Sequence, residues 1–127
     1  MGNDVNMIKG FVLSESLNDP LILNTIEKIY VKIESHNDPA YPAFWHLFKL
    51  SVAEKDVHGV VEAISEQMKT GWYAHFWNEK YLFICLSGQS FCIDRMASNY
   101  HNKLAEAKKY AESIGIESQY LDFYIED

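Results

Sequence analysis

Three groups of residues carry side chains whose types and spacing could do chemistry. Arg95, the chain's single arginine, follows an apolar stretch and precedes a helix start at Ser98, Asn99 and Tyr100. A guanidinium beside the free N–H groups of a first helical turn can hold a carboxylate or phosphate, with Arg95 bidentate, Ser98 adding a hydroxyl and His101 assisting. The plainer reading is preferred: Arg95 pairs with Asp94 or another surface carboxylate, and Ser98 caps the helix.

The second group is the loop "HNDPAYPAFWH", which carries His36, Asp38, Tyr41, Trp45 and His46. Histidine with aspartate is the minimal pair for general acid and base work, although Asp-Pro is also an ordinary turn former and the two aromatic residues suit anchoring. The third group is His75, Cys85 and Cys92. Imidazole and thiolate suit zinc, but six residues separate the cysteines and a fourth ligand is missing, so no metal and no cofactor is assigned. The thiols are read as core filler.

These residues need elements to position them. "MIKGFVLSES" reads as a strand covered on both faces, with Ile8, Gly10 and Val12 on one side and Phe11 and Leu13 on the other. Asp19 and Pro20 predict a short helix start, Asp19 as its cap. "KIYVKIE" alternates Ile29, Val31 and Ile33 against Lys28, Tyr30, Lys32 and Glu34, a strand with one wet face. "WHLFKLSVAE" resumes the alternation as its antiparallel partner. Val57, Val60, Val61, Ile64 and Met68 then share a helical face, with Asp56 as N-cap and Gly71 past the end.

"GWYAHFWNEKYLFICLSGQSFCID" divides into strands Trp72–Trp77, Lys80–Leu86 and Gln89–Ile93, with turns at Asn78-Glu79 and Ser87-Gly88. One face carries Trp72, Ala74, Phe76, Tyr81, Phe83 and Cys85 and belongs under helices. The other carries Tyr73, His75, Trp77, Lys80, Leu82, Ile84 and Leu86. That second face needs a cover: a second subunit, a ligand or the C-terminal helix. His75 and Trp77 are therefore ligand-binding candidates beside Arg95, Ser98 and His101. A helix with apolar side Tyr100, Leu104, Ala107, Ala111 and Ile114 ends at Gly115, and "QYLDFYI" adds a last strand.

The order is β-α-β-β-α-β followed by β-β-α-β. The expected fold is α+β, a ferredoxin-like βαββαβ sandwich with a C-terminal extension, a mainly antiparallel sheet and helices on one face, over a single domain 1–127. "GWYAHFW" and "SGQSF" resemble a small family of short prokaryotic α+β proteins with no assigned function. The resemblance implies a fold over most of the chain and no activity.

Composition narrows the partners. Hydrophobic residues make up 48% of the 127, enough to build a core. The net charge is −7 and no basic cluster exceeds Lys108-Lys109, which argues against nucleic acid and anionic membranes. The longest apolar run is Tyr81 to Leu86, too short for a span, and "MGNDVNMIKG" has no secretory pattern. With neither that pattern nor a disulfide framework, a cytoplasmic location with reduced thiols is expected. P-loop, G-x-G-x-x-G, G-x-S-x-G, H-E-x-x-H and EF-hand patterns do not occur. The expectation is a non-catalytic domain that self-associates, as a dimer, and binds a protein or a small anionic ligand. The alternative is a small enzyme acting on an anionic metabolite through the 36–46 loop or the Arg95/Ser98 corner.

Overall fold

In a computed structural model, the structure describes residues 7–35, 37–40 and 43–125. Six strands, β1 (Met7–Leu13), β2 (Glu27–Ser35), β3 (Phe44–Ala53), β4 (Tyr73–Trp77), β5 (Tyr81–Leu86) and β6 (Gln89–Asp94), form one sheet in the order β2-β3-β1-β4-β5-β6. Every neighbouring pair is antiparallel. Among the described residues two α-helices complete the α+β fold: α1 (Val57–Gln67) between β3 and β4, and α2 (Tyr100–Ser113) after β6.

The element expected after β1 is a six-residue 3-10 helix, Pro20–Thr25, not an α-helix. Its start is the expected one, since Asp19 accepts a hydrogen bond from the Leu21 N–H and Pro20 occupies the first position. The chain turns into β2 at once, which leaves no room for a longer helix. Asp56 precedes α1 without a side-chain cap bond, and α1 ends at Gln67. Gly71 therefore serves the turn into β4, at φ +94, instead of closing the helix.

Residue pairing sets which side chains share a face. Ala74 lies opposite Cys85 and Phe76 opposite Phe83, while Tyr73, His75 and Trp77 lie opposite Leu86, Ile84 and Leu82. The two faces expected for this hairpin are present, although the turn falls on Glu79-Lys80, one residue later, because the Asn78 carboxamide accepts from the N–H groups of Lys80 and Tyr81. The second turn is Ser87-Gly88, with Gly88 at φ +82.

The 3-10 helix and α1 share one face, as expected, and α2, one of the three covers open to the second face, lies on the other. On the first face Val57, Val61, Ile64 and Met68 of α1, with Leu23 of the 3-10 helix, pack on Ile8, Val12, Leu50, Phe76, Phe83 and Cys85. On the opposite face Ala107 and Ala111 of α2 pack with Trp77, Leu82, Ile84, Leu86 and Ile93. The cover demanded by the aromatic face is thus supplied by the chain itself.

The described residues 119–125 form no strand. Residues 118–120 make a 3-10 turn, Phe123 takes a left-handed φ of 45°, and the segment crosses the second face instead of joining its edge. Leu121 and Phe123 are buried there. Two backbone carbonyls of the segment are engaged by side chains: the Tyr73 hydroxyl donates to the Tyr120 carbonyl and the His75 ring to the Tyr124 carbonyl, each at 2.5 Å.

One close approach fixes the sheet centre. Gly10 pairs with Phe76, whose ring occupies the space a side chain would need: a Cβ there would stand 2.1 Å from Phe76 Cδ2.

Candidate functional site

α2 covers the β4–β6 half of the second face, and the C-terminal segment crosses it only partway. The remainder, over β2, β3 and β1, is a cleft of about 800 Å3. Alternation of the strands places its floor: Phe11 and Leu13 from β1, Trp45 and Leu47 from β3, Tyr30, Lys32 and Glu34 from β2, and Tyr73 and His75 from β4. Trp72, Tyr120 and Tyr124 add further rings to its walls, and Asp38, Glu117, Gln119 and Asp122 add polar groups. Among the described residues four carboxylates therefore line the cleft against two ammonium groups, Lys32 in the lining and Lys49 buried beside the rings of Phe11 and Tyr30.

The rings support one another. Trp45 and Trp72 meet edge to face at 6.0 Å, and Phe11 lies 6.5 Å from Tyr30 and 6.4 Å from Tyr124. Lys49 is buried at the same place, its ammonium 5.8 Å from the Phe11 ring centre and 5.7 Å from that of Tyr30. These aromatic faces already hold one cation, each contact contributing about 0.5–2 kcal/mol.

His75 is buried, with its Nε2 at the Tyr124 carbonyl and its ring stacked on Trp77 at 5.4 Å. Burial pushes its pKa down; the carbonyl and the nearby Asp122 carboxylate oppose this without reversing it, so at neutral pH the ring is an uncharged donor. Burial, reinforced by the Asp122 charge, raises the Tyr73 phenol far above its usual range. Both groups tie down the C-terminal segment that forms one wall. Trp77, expected to meet a partner, is only 4% exposed beneath Phe11 and the C-terminal elements.

Arg95 lies just after β6, and its Nη1 donates to the Asn78 carbonyl while its N–H donates to the Lys80 carbonyl. The guanidinium clamps the β4–β5 turn. Ser98 is exposed and Asn99, not Ser98, sits at the N-cap of α2, without a side-chain cap bond. His101 is exposed, with Tyr100 edge-on to its ring at 5.3 Å.

The zinc arrangement is contradicted by register. Cys85 and Cys92 share the α1 face, whereas His75 points to the other. Among the described residues no group of three metal-capable side chains occurs. Burial raises the Cys85 thiol to about 12, and Cys92, exposed at the rim of a smaller recess with His58 and Glu54, is also raised, by partial burial and then by Asp94.

Of the segment 36–46, expected as a loop, residues 44–46 belong to β3 instead, and His36 and Tyr41 lie outside the described residues. Asp38 accepts from the Ala40 N–H in a local turn. His46 forms a two-point polar pair with Glu15: its Nδ1 stands 2.6 Å from Glu15 Oε2, and its N–H donates to Oε1. Partial burial raises the Glu15 pKa, but the two hydrogen bonds from His46 outweigh it and the carboxyl ends below its usual range. Sequence reading passed over Glu15, which lies 31 residues from its partner with no motif joining them. It also missed the cleft, although Tyr30 and the aromatic residues of "QYLDFYI" were visible. The signal was that a strand's wet face carried a tyrosine. Among the described residues no helix is long and apolar enough to cross a membrane. No protein-family model matches the chain, and neither a curated protein nor a solved structure shows significant similarity to it.

Proposed function

We propose that the protein is a cytoplasmic, non-catalytic binding module that self-associates, and that its ligand is a small organic cation held in the aromatic cleft. The single observation that carries the reading is the lining: tilted and edge-on rings with four carboxylates among them, against the ammonium groups of Lys32 and of the buried Lys49. An anionic ligand, expected from Arg95, would meet repulsion here, whereas an alkylammonium ion would gain both charge complementarity and ring faces. Proposed with it is a ferredoxin-like arrangement of the first four strands. What supports it is the pairing: β1 and β2 run parallel with β3 between them, and β3 and β4 run parallel with β1 between them, two interlocked split βαβ units. The test is calorimetric titration with tetramethylammonium and spermidine, with acetate and phosphate as controls. Saturable binding of a cation that weakens in Tyr30→Ala supports the reading; binding of the anions alone would overturn it.

A second reading, an enzyme acting on an anionic metabolite from the 36–46 loop, is favoured by the Glu15–His46 pair. A carboxylate that fixes one imidazole nitrogen leaves the other as a base. Turnover of nitrophenyl esters or phosphates that disappears in His46→Gln would put this reading ahead.

A further inference from the structure

β2 runs along the free edge of the sheet, and eight of its nine residues are exposed. Val31 and Ile33 are 45% and 63% exposed on the α1 face, next to Phe44 of β3 at 56%. Among the described residues no strand pairs with the outer side of β2, and the outward N–H and C=O groups of an edge strand can pair with a matching strand, here over Val31–Ser35. Its side chains match themselves.

We propose that β2 pairs antiparallel with β2 of a second copy about a two-fold axis through Ile33. The proposal rests on the self-association put forward above and gives it a place. In this register Ile33 meets itself, Val31 meets Ser35, and Lys32 of each copy meets the partner's Glu34 on the cleft face. A lysine on an edge strand ordinarily discourages pairing; here it finds a carboxylate in both directions. Within one chain the two groups are already 3.6 Å apart.

The neighbouring registers are worse. An axis through Lys32 would set the two ammonium groups against each other. An axis through Val31 would ask Lys28 to meet Glu34, but the bulge between Lys28 and Tyr30 turns Lys28 to the α1 face, where its ammonium donates to the carbonyls of Leu23 and Ile26. Because the axis is perpendicular to the sheet, both clefts stay on one side of the joined sheet, and the partner's Glu34 stands beside Lys32 at the cleft margin.

The test combines sedimentation velocity with disulfide trapping, with circular dichroism to verify folding of these surface variants. The wild-type chain should be a dimer, Lys32→Glu and Glu34→Lys should each raise its dissociation constant by about tenfold or more, and the double reversal should restore it. In a Cys92→Ser background, Ile33→Cys should form an intermolecular disulfide and Val31→Cys should not, since only a self-opposed pair brings the Cα atoms within bridging range. A monomeric wild type would overturn self-association and the edge together. A dimer indifferent to both reversals would leave self-association standing and overturn the edge. Trapping through Val31→Cys alone would overturn the register.

Discussion

Gly10→Ala is the smallest substitution that should damage the centre of this sheet. The added Cβ would stand 2.1, 2.5 and 2.6 Å from Cδ2, Cε2 and Cγ of Phe76. Ordinary carbon contacts lie at about 3.5–4.0 Å, so the ring must retreat by more than 1 Å. It has nowhere to go: Phe76 is fully buried in the cluster that includes Ile8, Leu50 and Ile64. Overpacking of a dense core costs about 1–3 kcal/mol, sometimes more, and a contact this short belongs at the upper end. Removing a strand glycine returns about 0.5–1 kcal/mol, leaving a net loss of about 2–2.5 kcal/mol. Phe76→Ala alone should cost about 3–5 kcal/mol through the cavity it leaves. With the ring gone the methyl has space, so Gly10→Ala in that background should be neutral or stabilising. The assay is urea unfolding followed by tryptophan fluorescence for the four proteins of the cycle. An equal cost of Gly10→Ala in both backgrounds, or a cost below about 0.5 kcal/mol in the wild type, would refute the packing argument.

Other consequences follow from the site. His75 has a folded pKa below its ordinary 6.5, so the unfolded chain binds its proton first; this share of the stability is complete above about pH 6.5 and declines as pH falls through that value. Urea midpoints between pH 8 and 5 should show that slope, flattened in His75→Phe. Glu15, with its pKa also lowered, contributes stability that is present above 4.5 and lost as pH falls below it, and Glu15→Gln should remove that lower step. Tyr73→Phe removes the hydroxyl that holds the Tyr120 carbonyl and should cost about 1 kcal/mol, with faster amide exchange confined to residues 116–125. Arg95→Ala should cost about 1.5–3 kcal/mol by freeing the β4–β5 turn, measured by thermal unfolding, and should leave cation binding in the cleft unchanged.

Local pattern carried far in this chain where one periodicity dominated. The apolar stripe of Val57, Val61 and Ile64 read as a helix and is one. The faces of β4 and β5 were legible although the turn residues were misplaced by one, because shifting the pairing by a whole step keeps every side chain on its side. Three features were not legible. Val31 and Ile33 alternate like buried residues, but β2 lies at an edge beyond the reach of α1, and no pattern within the strand says where in a sheet it will be placed. "QYLDFYI" has the composition of a strand, yet hydrogen bonds from Tyr73 and His75, far away in sequence, draw its backbone across the sheet face. Arg95 was read from its neighbours in sequence, while its partner, the Asn78 carbonyl, comes from the adjoining hairpin.

The claim that the cleft is the binding site has a direct test in the three indole N–H resonances of the native protein. Trp45 and Trp72 line the cleft, whereas Trp77 is sealed beneath the C-terminal elements. Titration with tetramethylammonium should shift the Trp45 and Trp72 signals along one saturable curve and leave Trp77 in place. Signals that stay fixed while calorimetry reports binding, or a shift at Trp77 alone, would place the ligand elsewhere and contradict the account.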